Sequence, residues 1–123
     1  MVHIAALDAH VDHDTQIADT APGPVVLVNI FHVAPEHGDD LAEVWGDLLR
    51  RFRTAPGFLS AQFHRGTAGS GTFLNYAVWE STAAYRAAYE DPRFRALLAG
   101  YPPETVATPH LFVKQAVAGV CTA

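Results

Sequence analysis

The stretch from Asn75 to Tyr85 passes from a strand pattern to a helix pattern without a linker, and it constrains the fold more than any other feature. Residues Thr72 to Glu80 are rich in aromatic and β-branched side chains, as is typical of a half-buried strand. Because side chains alternate along a strand, Asn75 and Trp79 share one face. Ser81 offers an N-cap oxygen, and the alanine-rich residues after it predict a helix. If this helix folds back over the strand, Tyr85 faces Asn75 and Trp79 in one apolar cavity.

The alternative is that Trp79 and Tyr85 are ordinary core residues, because buried aromatic side chains dominate protein cores. Asn75 fits that interpretation poorly, since a buried amide without a partner costs about 1–3 kcal/mol. Asn29 lies in the apolar strand pattern Val25 to Val33 and is equally open to two interpretations. It is either a second amide in the cavity or a satisfied strand amide, so the pattern makes it a candidate substrate-binding residue.

Two further elements follow the first strand. Asp39 and Asp40 place negative charge where a helix start favours it. The helix itself is predicted by one apolar stripe, formed by Leu41, Val44, Trp45, Leu48, Leu49 and Phe52. Phe58 to Arg65 then alternates as a strand, with Ser60, Gln62 and His64 on one face and Leu59, Ala61 and Phe63 on the other. His64 is a candidate general base because its unperturbed pKa lies near neutrality, and a structural histidine is the alternative.

The remaining pattern completes a βαββαβ order. The second helix restarts at Asp91-Pro92 and ends at Pro102-Pro103, a loop runs through Pro109, and Leu111 to Val117 is the expected last strand. This order predicts an α+β, ferredoxin-like fold with an antiparallel sheet and two helices on one face. The other face of the sheet is left uncovered, so we expect a homodimer.

The first 24 residues form an acidic segment that contains four aspartates and no Lys or Arg. The spacing His10-x-x-His13, followed by Asp14, could hold a metal, but no closed ligand set accompanies it. We therefore expect no metal and a polar extension over residues 1–24, ending in the breaker Ala21-Pro22-Gly23-Pro24 and lying on a partner subunit. The domain would span residues 25–118, and residues 119–123 would form a tail.

Composition excludes several classes of partner. The chain has 13 acidic and eight basic residues, and removing the four aspartates of the extension leaves nine against eight, without a basic stripe for nucleic acid. The single cysteine, Cys121, excludes an intrachain disulfide and fits a reducing cytoplasm. No apolar run approaches the ~20 residues of a membrane helix, and no signal peptide is evident. We expect a cytoplasmic protein without a membrane partner.

The chain resembles the antibiotic biosynthesis monooxygenase (ABM) family over roughly residues 25–117. The likeness rests on Pro56-Gly57-Phe58-Leu59-Ser60-Ala61, on His64, and on Asn75-Tyr76-Ala77-x-Trp79-Glu80-Ser81-x-x-x-Tyr85-Arg86. Within that family it is most similar to cofactor-independent, quinone-forming members. The resemblance implies a dimeric α+β barrel with one cavity per subunit. It also implies oxidation of a polycyclic phenol or anthrone from aromatic polyketide biosynthesis, with O₂ as co-substrate and no metal or prosthetic group.

The same resemblance assigns site residues. Asn75, Trp79 and Tyr85 match a polar triad, His64 matches a further active-site histidine, and Arg95 matches a substrate-binding arginine only loosely. Our hypothesis is that Asn75 binds the substrate oxygen and that the Trp79 N–H bonds the developing peroxide. Tyr85 would position the substrate or transfer a proton, with His64 as assistant base.

Three other activities are weighed against this one. Some relatives in angucycline pathways use reduced flavin, and the lack of a dinucleotide fingerprint decides little because such flavin is diffusible. A cyclase-like or noncatalytic protein that folds a polyketide in its cavity is another alternative. Heme degradation is disfavoured, because Leu98 and Ala88 stand where heme-degrading relatives carry the iron ligand and a tryptophan.

Overall fold

A five-stranded sheet with helices on one face forms the fold of this protein, described by a computed structural model over residues 2–19 and 22–122. The strands are β1 (His3–Ile4), β2 (Val25–His32), β3 (Phe58–Arg65), β4 (Thr72–Trp79) and β5 (Val106–Phe112). The helices are α1 (His13–Ala18), α2 (Gly38–Phe52), α3 (Thr82–Tyr89) and α4 (Pro92–Leu97), with single 3₁₀ turns at Pro35–His37 and Leu98–Gly100. Ala21 of the expected breaker and Ala123 of the expected tail lie outside the described residues.

The order of strands across the sheet is β1-β5-β2-β4-β3. Each neighbouring pair among strands β5, β2, β4 and β3 is antiparallel, whereas β1 pairs with β5 in parallel. The expected ferredoxin-like α+β fold is therefore confirmed for the core, and the N-terminal segment adds a fifth strand. No helix within the described ranges is long and apolar enough to cross a membrane.

Helix α2 packs its apolar stripe onto the sheet as expected. Leu41 and Leu48 are almost completely buried, at 0% and 2% exposure. Truncating such a side chain to alanine typically costs about 2–5 kcal/mol, so this face anchors the helix. Asp39 and Asp40 occupy the first turn and Arg50 and Arg51 the last, where both signs of charge favour the helix dipole.

Strand β4 and helix α3 carry most of the site. The buried residues of β4 alternate, and the inward set is Phe73, Asn75, Ala77 and Trp79. The Ser81 side chain caps α3 by accepting a hydrogen bond from Ala84 N, as the sequence predicts. The turn at Ser81 thus brings α3 back over the strand that precedes it.

Strand β3 departs from the predicted alternation. Its pairing with β4 shifts between Phe58 and Ser60, which marks an irregularity at Leu59. Because one extra residue reverses the alternation, Phe58 lines the interior and Leu59 is 55% exposed. The expectation that Leu59 shares the face of Ala61 and Phe63 is therefore wrong.

The last strand was expected at Leu111 to Val117 after a loop through Pro109, and this placement is wrong. β5 begins five residues earlier, at Val106, and includes Pro109. The backbone carbonyls of Thr105 and Ala107 accept hydrogen bonds from the β1 side, so the backbone polar groups of alternate residues in β5 point to that edge. Pro109 is the next alternate residue, so its backbone nitrogen also points away from β2. Because β1 has already ended at this position, the N–H that proline lacks would not have bonded either neighbouring strand.

The N-terminal segment lies on its own chain rather than forming only a polar extension. β1 pairs with the edge of β5, and α1 contacts both α3 and β5. Beyond Pro109, the Gln16 side-chain amide continues this edge by bonding both backbone groups of Leu111, at 2.8 Å to its N and 2.9 Å to its O. The segment thereby covers an otherwise unpaired sheet edge. Contact with a partner subunit stays a prediction.

Candidate active site

A cavity of about 60 Å³ lies between the sheet and the helices. Among residues 2–19 and 22–122, those that form its walls include no charged side chain and are mainly aliphatic and aromatic. Strand residues Leu27, Asn29, Phe31, Asn75, Ala77 and Trp79 face it from the sheet, and Trp45, Phe52, Tyr85, Tyr89 and Phe94 face it from the helices. The structure therefore brings Asn29, Asn75, Trp79 and Tyr85 together around one cavity.

Several polar atoms that line this cavity are unusual for a protein core because they are buried without hydrogen-bond partners among the described residues. Asn29 and Asn75 are directly opposite each other on β2 and β4, and the Oδ1 atoms of both are buried without a hydrogen-bond partner among the described residues. The indole Nε1 atoms of Trp79 and Trp45 are likewise unpaired within that part of the chain. Each unpaired buried group costs about 1–3 kcal/mol, so four in one cavity argue for a ligand that satisfies them.

Three aromatic rings hold the Trp79 indole edge-on. The ring centroids of Phe52, Phe58 and Tyr85 lie 5.8, 5.3 and 5.6 Å from that of Trp79. The indole is less than 2% exposed, so its N–H has a defined direction inside a region of low dielectric constant. A donor held in this way interacts strongly with any negative charge that develops nearby.

Within the described part of the chain, the Tyr85 hydroxyl has one hydrogen-bond partner, which the sequence did not reveal. His13 Nε2, from helix α1, lies 2.8 Å from the Tyr85 oxygen in a buried contact. Burial raises the pKa of Tyr85 well above its ordinary value, and burial is also the main cause that lowers the pKa of His13. At neutral pH the pair therefore consists of a protonated phenol and a neutral imidazole.

His13 was interpreted as part of a polar extension because aspartates surround it. A better signal was present in the same residues. Asp12 is an N-cap whose side chain accepts a hydrogen bond from Thr15 N, and the buried residues His13 and Ile17 are four apart. This is the pattern of a short helix with one buried face. Trp45 was likewise expected only as a member of the α2 stripe, whereas its N–H is one of the unpaired groups.

His64 and Arg95 lie outside the cavity. His64 pairs with Leu74 on the exposed face of β3, and its Nδ1 is 3.4 Å from the Leu74 carbonyl oxygen. The alternation that turns Phe63 inward turns His64 outward, which argues against its expected role as assistant base. The Arg95 guanidinium lies 4.7 Å from the centre of the Tyr89 ring. Arg95 therefore reaches the cavity only through Tyr89, and direct substrate binding is not supported by this placement.

An open groove of about 710 Å³ lies beside the cavity, between the end of α2 and helices α3 and α4. Phe52 and Phe94 line both spaces, and their ring centroids are 4.1 Å apart. The two rings are therefore a common wall between the cavity and the groove. Arg50 and Arg51 also line the groove, together with Glu80 and Asp91, so its charges are mixed.

Metal ligands do not converge anywhere in residues 2–19 and 22–122, where no group of three His, Cys, Asp or Glu side chains could hold an ion. The two histidines of the His10-x-x-His13 spacing lie in different surroundings, since His13 is buried against Tyr85 and His10 is exposed.

A ferredoxin-like sheet with helices on one face, and a cavity between them lined by amide, indole and apolar groups, define an α+β protein with an enclosed apolar cavity. The pattern of the antibiotic biosynthesis monooxygenase family matches residues 24–100, so the chain belongs to this family and is a monooxygenase. The resemblance drawn from the sequence is thus confirmed. The matched range begins after α1, so His13 lies outside it.

Known proteins agree with this assignment. Over 85 residues the chain is 42% identical to tetracenomycin-F1 monooxygenase from Streptomyces glaucescens, covering 64% of this chain and 72% of that protein. Among solved structures, the fold matches SnoaB, a cofactor-independent oxygenase from Streptomyces nogalater, with a TM-score of 0.68, 24% identity and coverage of 79% and 98% of the two chains. It also matches Rv0793 from Mycobacterium tuberculosis, with a TM-score of 0.62, 16% identity and coverage of 78% and 99%.

Proposed function

We propose that this monooxygenase oxidises a polycyclic phenol or anthrone of aromatic polyketide biosynthesis to a quinone, with O₂ as co-substrate and without a cofactor. The observation that carries the proposal is a set of polar groups that line an apolar cavity and have no hydrogen-bond partner among the described residues, namely the Oδ1 atoms of Asn29 and Asn75 and the indole N–H groups of Trp45 and Trp79. Such a cavity suits a flat aromatic substrate with few oxygen atoms. The 42% identity to tetracenomycin-F1 monooxygenase supports the same substrate class.

The reaction can draw its electrons from the substrate alone. An anthrone that loses one proton becomes an electron-rich anion, which gives one electron to O₂. The two radicals then combine into a peroxide at the same carbon. Cleavage of the O–O bond, with loss of the second C–H proton, leaves a carbonyl group and one molecule of water. The balance is one CH₂ group and O₂ converted into one C=O group and H₂O.

Each polar group of the cavity fits one step. The amide groups of Asn29 and Asn75 bind the substrate oxygen. Their unpaired Oδ1 atoms accept a hydrogen bond from the substrate hydroxyl group, and their Nδ2–H groups donate to the oxygen once it carries the anionic charge. The Trp79 N–H donates to the peroxide, where preorganised donors stabilise developing charge most effectively. Tyr85 remains protonated because burial raises its pKa, so it acts through its hydroxyl hydrogen bond rather than as a phenolate.

Substrate binding requires the cavity to open. Its volume of about 60 Å³ is far below the ~300–1,000 Å³ of typical ligand pockets. Phe52 and Phe94 line both this cavity and the larger groove, so a rotation of these two rings would join the two spaces. The substrate therefore reaches Asn75 and Trp79 from the helical side.

The exposed face of the sheet supports a homodimer. Tyr76 and Phe112 are 37% and 42% exposed there, and both lie beside Val28 in a shallow apolar depression. A second copy of this chain, packed sheet against sheet, would cover these groups.

Oxygen uptake by the purified protein with an anthrone tests the function. Uptake without any added cofactor, lost in Asn75→Ala, is the expected result. Uptake only with reduced flavin would contradict cofactor independence and place the protein with flavin-assisted oxygenases. Conversion of a polyketide under anaerobic conditions would instead indicate a cyclase.

A further inference from the structure

We infer that His13 is a positioning residue of the active site, which holds the Tyr85 hydroxyl and receives a proton from the substrate through it. The inference rests on the proposed function, which requires a proton to leave the substrate. If it is correct, the N-terminal helix α1 contributes to catalysis although it lies outside the family-matched residues 24–100.

The cavity itself offers no base. None of the described residues that line it is an Asp, Glu, His, Lys or Arg, and His64 lies on the opposite face of the sheet. Tyr85 alone cannot serve, because a buried phenolate is strongly disfavoured. A proton that leaves the substrate must therefore pass through a polar group of the wall to a base behind it.

The contact between His13 and Tyr85 provides that path. His13 Nε2 is 2.8 Å from the Tyr85 oxygen, and His13 itself is 4% exposed. The imidazole also packs edge-on against the rings of Tyr85 and Tyr89, with centroid distances of 5.6 and 4.8 Å. These two rings fix the orientation of the imidazole relative to the Tyr85 hydroxyl and shield the contact from solvent.

The transfer conserves protons at every step. The substrate proton moves to the Tyr85 oxygen as the Tyr85 proton moves to His13 Nε2, so no phenolate forms. The substrate keeps the electron pair as an anion, and His13 becomes an imidazolium. After the anion has reduced O₂, the same proton returns through Tyr85 to the peroxide oxygen. Because Nε2 must be free to accept a proton, the neutral imidazole carries its ring proton on Nδ1, which is buried without a partner among the described residues.

Other charged and titratable groups near His13 also change its pKa. Asp12 and Asp14 lie on its own helix, Arg95 faces it from α4, and His110 faces it from β5. The aspartates raise the pKa of His13, whereas burial, His110 and Arg95 lower it. Since burial is the largest cause, His13 stays neutral and able to accept a proton at neutral pH.

Two variants at position 13 separate proton transfer from positioning alone. His13→Gln keeps a side-chain amide that can bond the Tyr85 hydroxyl but has no titratable base, and His13→Phe keeps the ring packing only. We expect both variants to lower kcat roughly 100-fold, the usual effect of losing acid–base catalysis. For the unaltered enzyme we expect kcat/KM to fall at acidic pH as His13 becomes protonated, and both variants should lose this fall. His10→Phe, an exposed substitution in the same segment, is the matched control and should leave both quantities unchanged.

A double variant tests whether His13 acts through Tyr85. If it does, Tyr85→Phe combined with His13→Phe should be no slower than Tyr85→Phe alone. Independent, multiplying losses would overturn the inference. So would a wild-type rate in His13→Gln, or an acidic limb that persists in that variant.

Nitrogen NMR of His13 gives a readout that does not need turnover. At pH 7.5 the relay requires an unprotonated Nε2, with the ring proton on Nδ1, and Tyr85→Phe should shift the Nε2 resonance while His10 stays unchanged. A protonated Nε2 in the unaltered protein would overturn the relay whatever the activity. Absence of oxygen uptake by the unaltered protein, in contrast, would refute the proposed function and leave the NMR result to decide on the contact.

Discussion

Replacing Asn75 by leucine should make the protein more stable and inactive. The two side chains have the same number of heavy atoms in the same branched arrangement, and Asn75 is only 6% exposed. Its Oδ1 atom has no partner among the described residues, so the substitution removes a desolvation penalty of about 1–3 kcal/mol. An imperfect fit of the new methyl groups costs up to about 1.5 kcal/mol. The net gain in the free energy of unfolding is then about 1 kcal/mol.

Thermal unfolding followed by circular dichroism measures this gain. For a chain of this size, about 1 kcal/mol corresponds to a rise in Tm of roughly 4 °C. Protein concentration must be held constant, because a dimer makes Tm depend on it. Asn75→Ala is the matched control, since it removes the same amide and leaves a void beside the cavity, and it should gain nothing in stability.

Oxygen uptake with an anthrone measures the predicted loss of activity. Both variants should lose most of the turnover, because neither can hold the substrate oxygen. An Asn75→Leu protein that oxidises its substrate at the normal rate would refute the role of the amide. A loss of more than about 1 kcal/mol in stability would show that the amide is paired in solution and that its burial serves the fold.

Four further predictions follow from the same contacts. Trp79→Phe should lower turnover about 10- to 100-fold in the uptake assay and destabilise the fold by about 1–3 kcal/mol, since it removes a donor and leaves a void; normal turnover would exclude the N–H from catalysis. Gln16→Ala should cost about 1–2 kcal/mol in thermal unfolding, because the two hydrogen bonds to Leu111 are lost, and an unchanged Tm would show that water replaces them. Burial lowers the pKa of His13, so the unfolded chain binds a proton at this imidazole more tightly than the folded protein does. The free energy of unfolding should therefore fall as the pH drops below the usual histidine pKa of about 6.5. In denaturant titrations at several pH values His13→Gln should reduce this fall, and the same pH dependence in the variant would contradict the prediction. Tyr76→Asp should convert a dimer to monomers in sedimentation equilibrium, and an unchanged mass would mean that this face is not the interface.

The sequence by itself determined the elements that depend on neighbouring residues. Alternation placed Asn75 and Trp79 on one face of β4, the three-and-four spacing defined the buried stripe of α2, and caps at Ser81 and Asp91 started two helices. These signals are local because the periods of a strand and a helix are read within a few residues. Together with the order of elements, they were sufficient for the ferredoxin-like fold and for the group of residues around the cavity.

Tertiary structure decided what depends on residues far apart in the chain. Pro109 lies within β5 because the parallel strand β1 ends before it, and Leu59 faces outward because β3 shifts against β4. His13 and Tyr85 are 72 residues apart, so no local period relates them. Whether a buried amide is paired or free is likewise set by all of its neighbours at once. The N-terminal segment packs beside the cavity for the same reason, since it binds a sheet edge and a Tyr85 hydroxyl group that are brought together only in the folded chain.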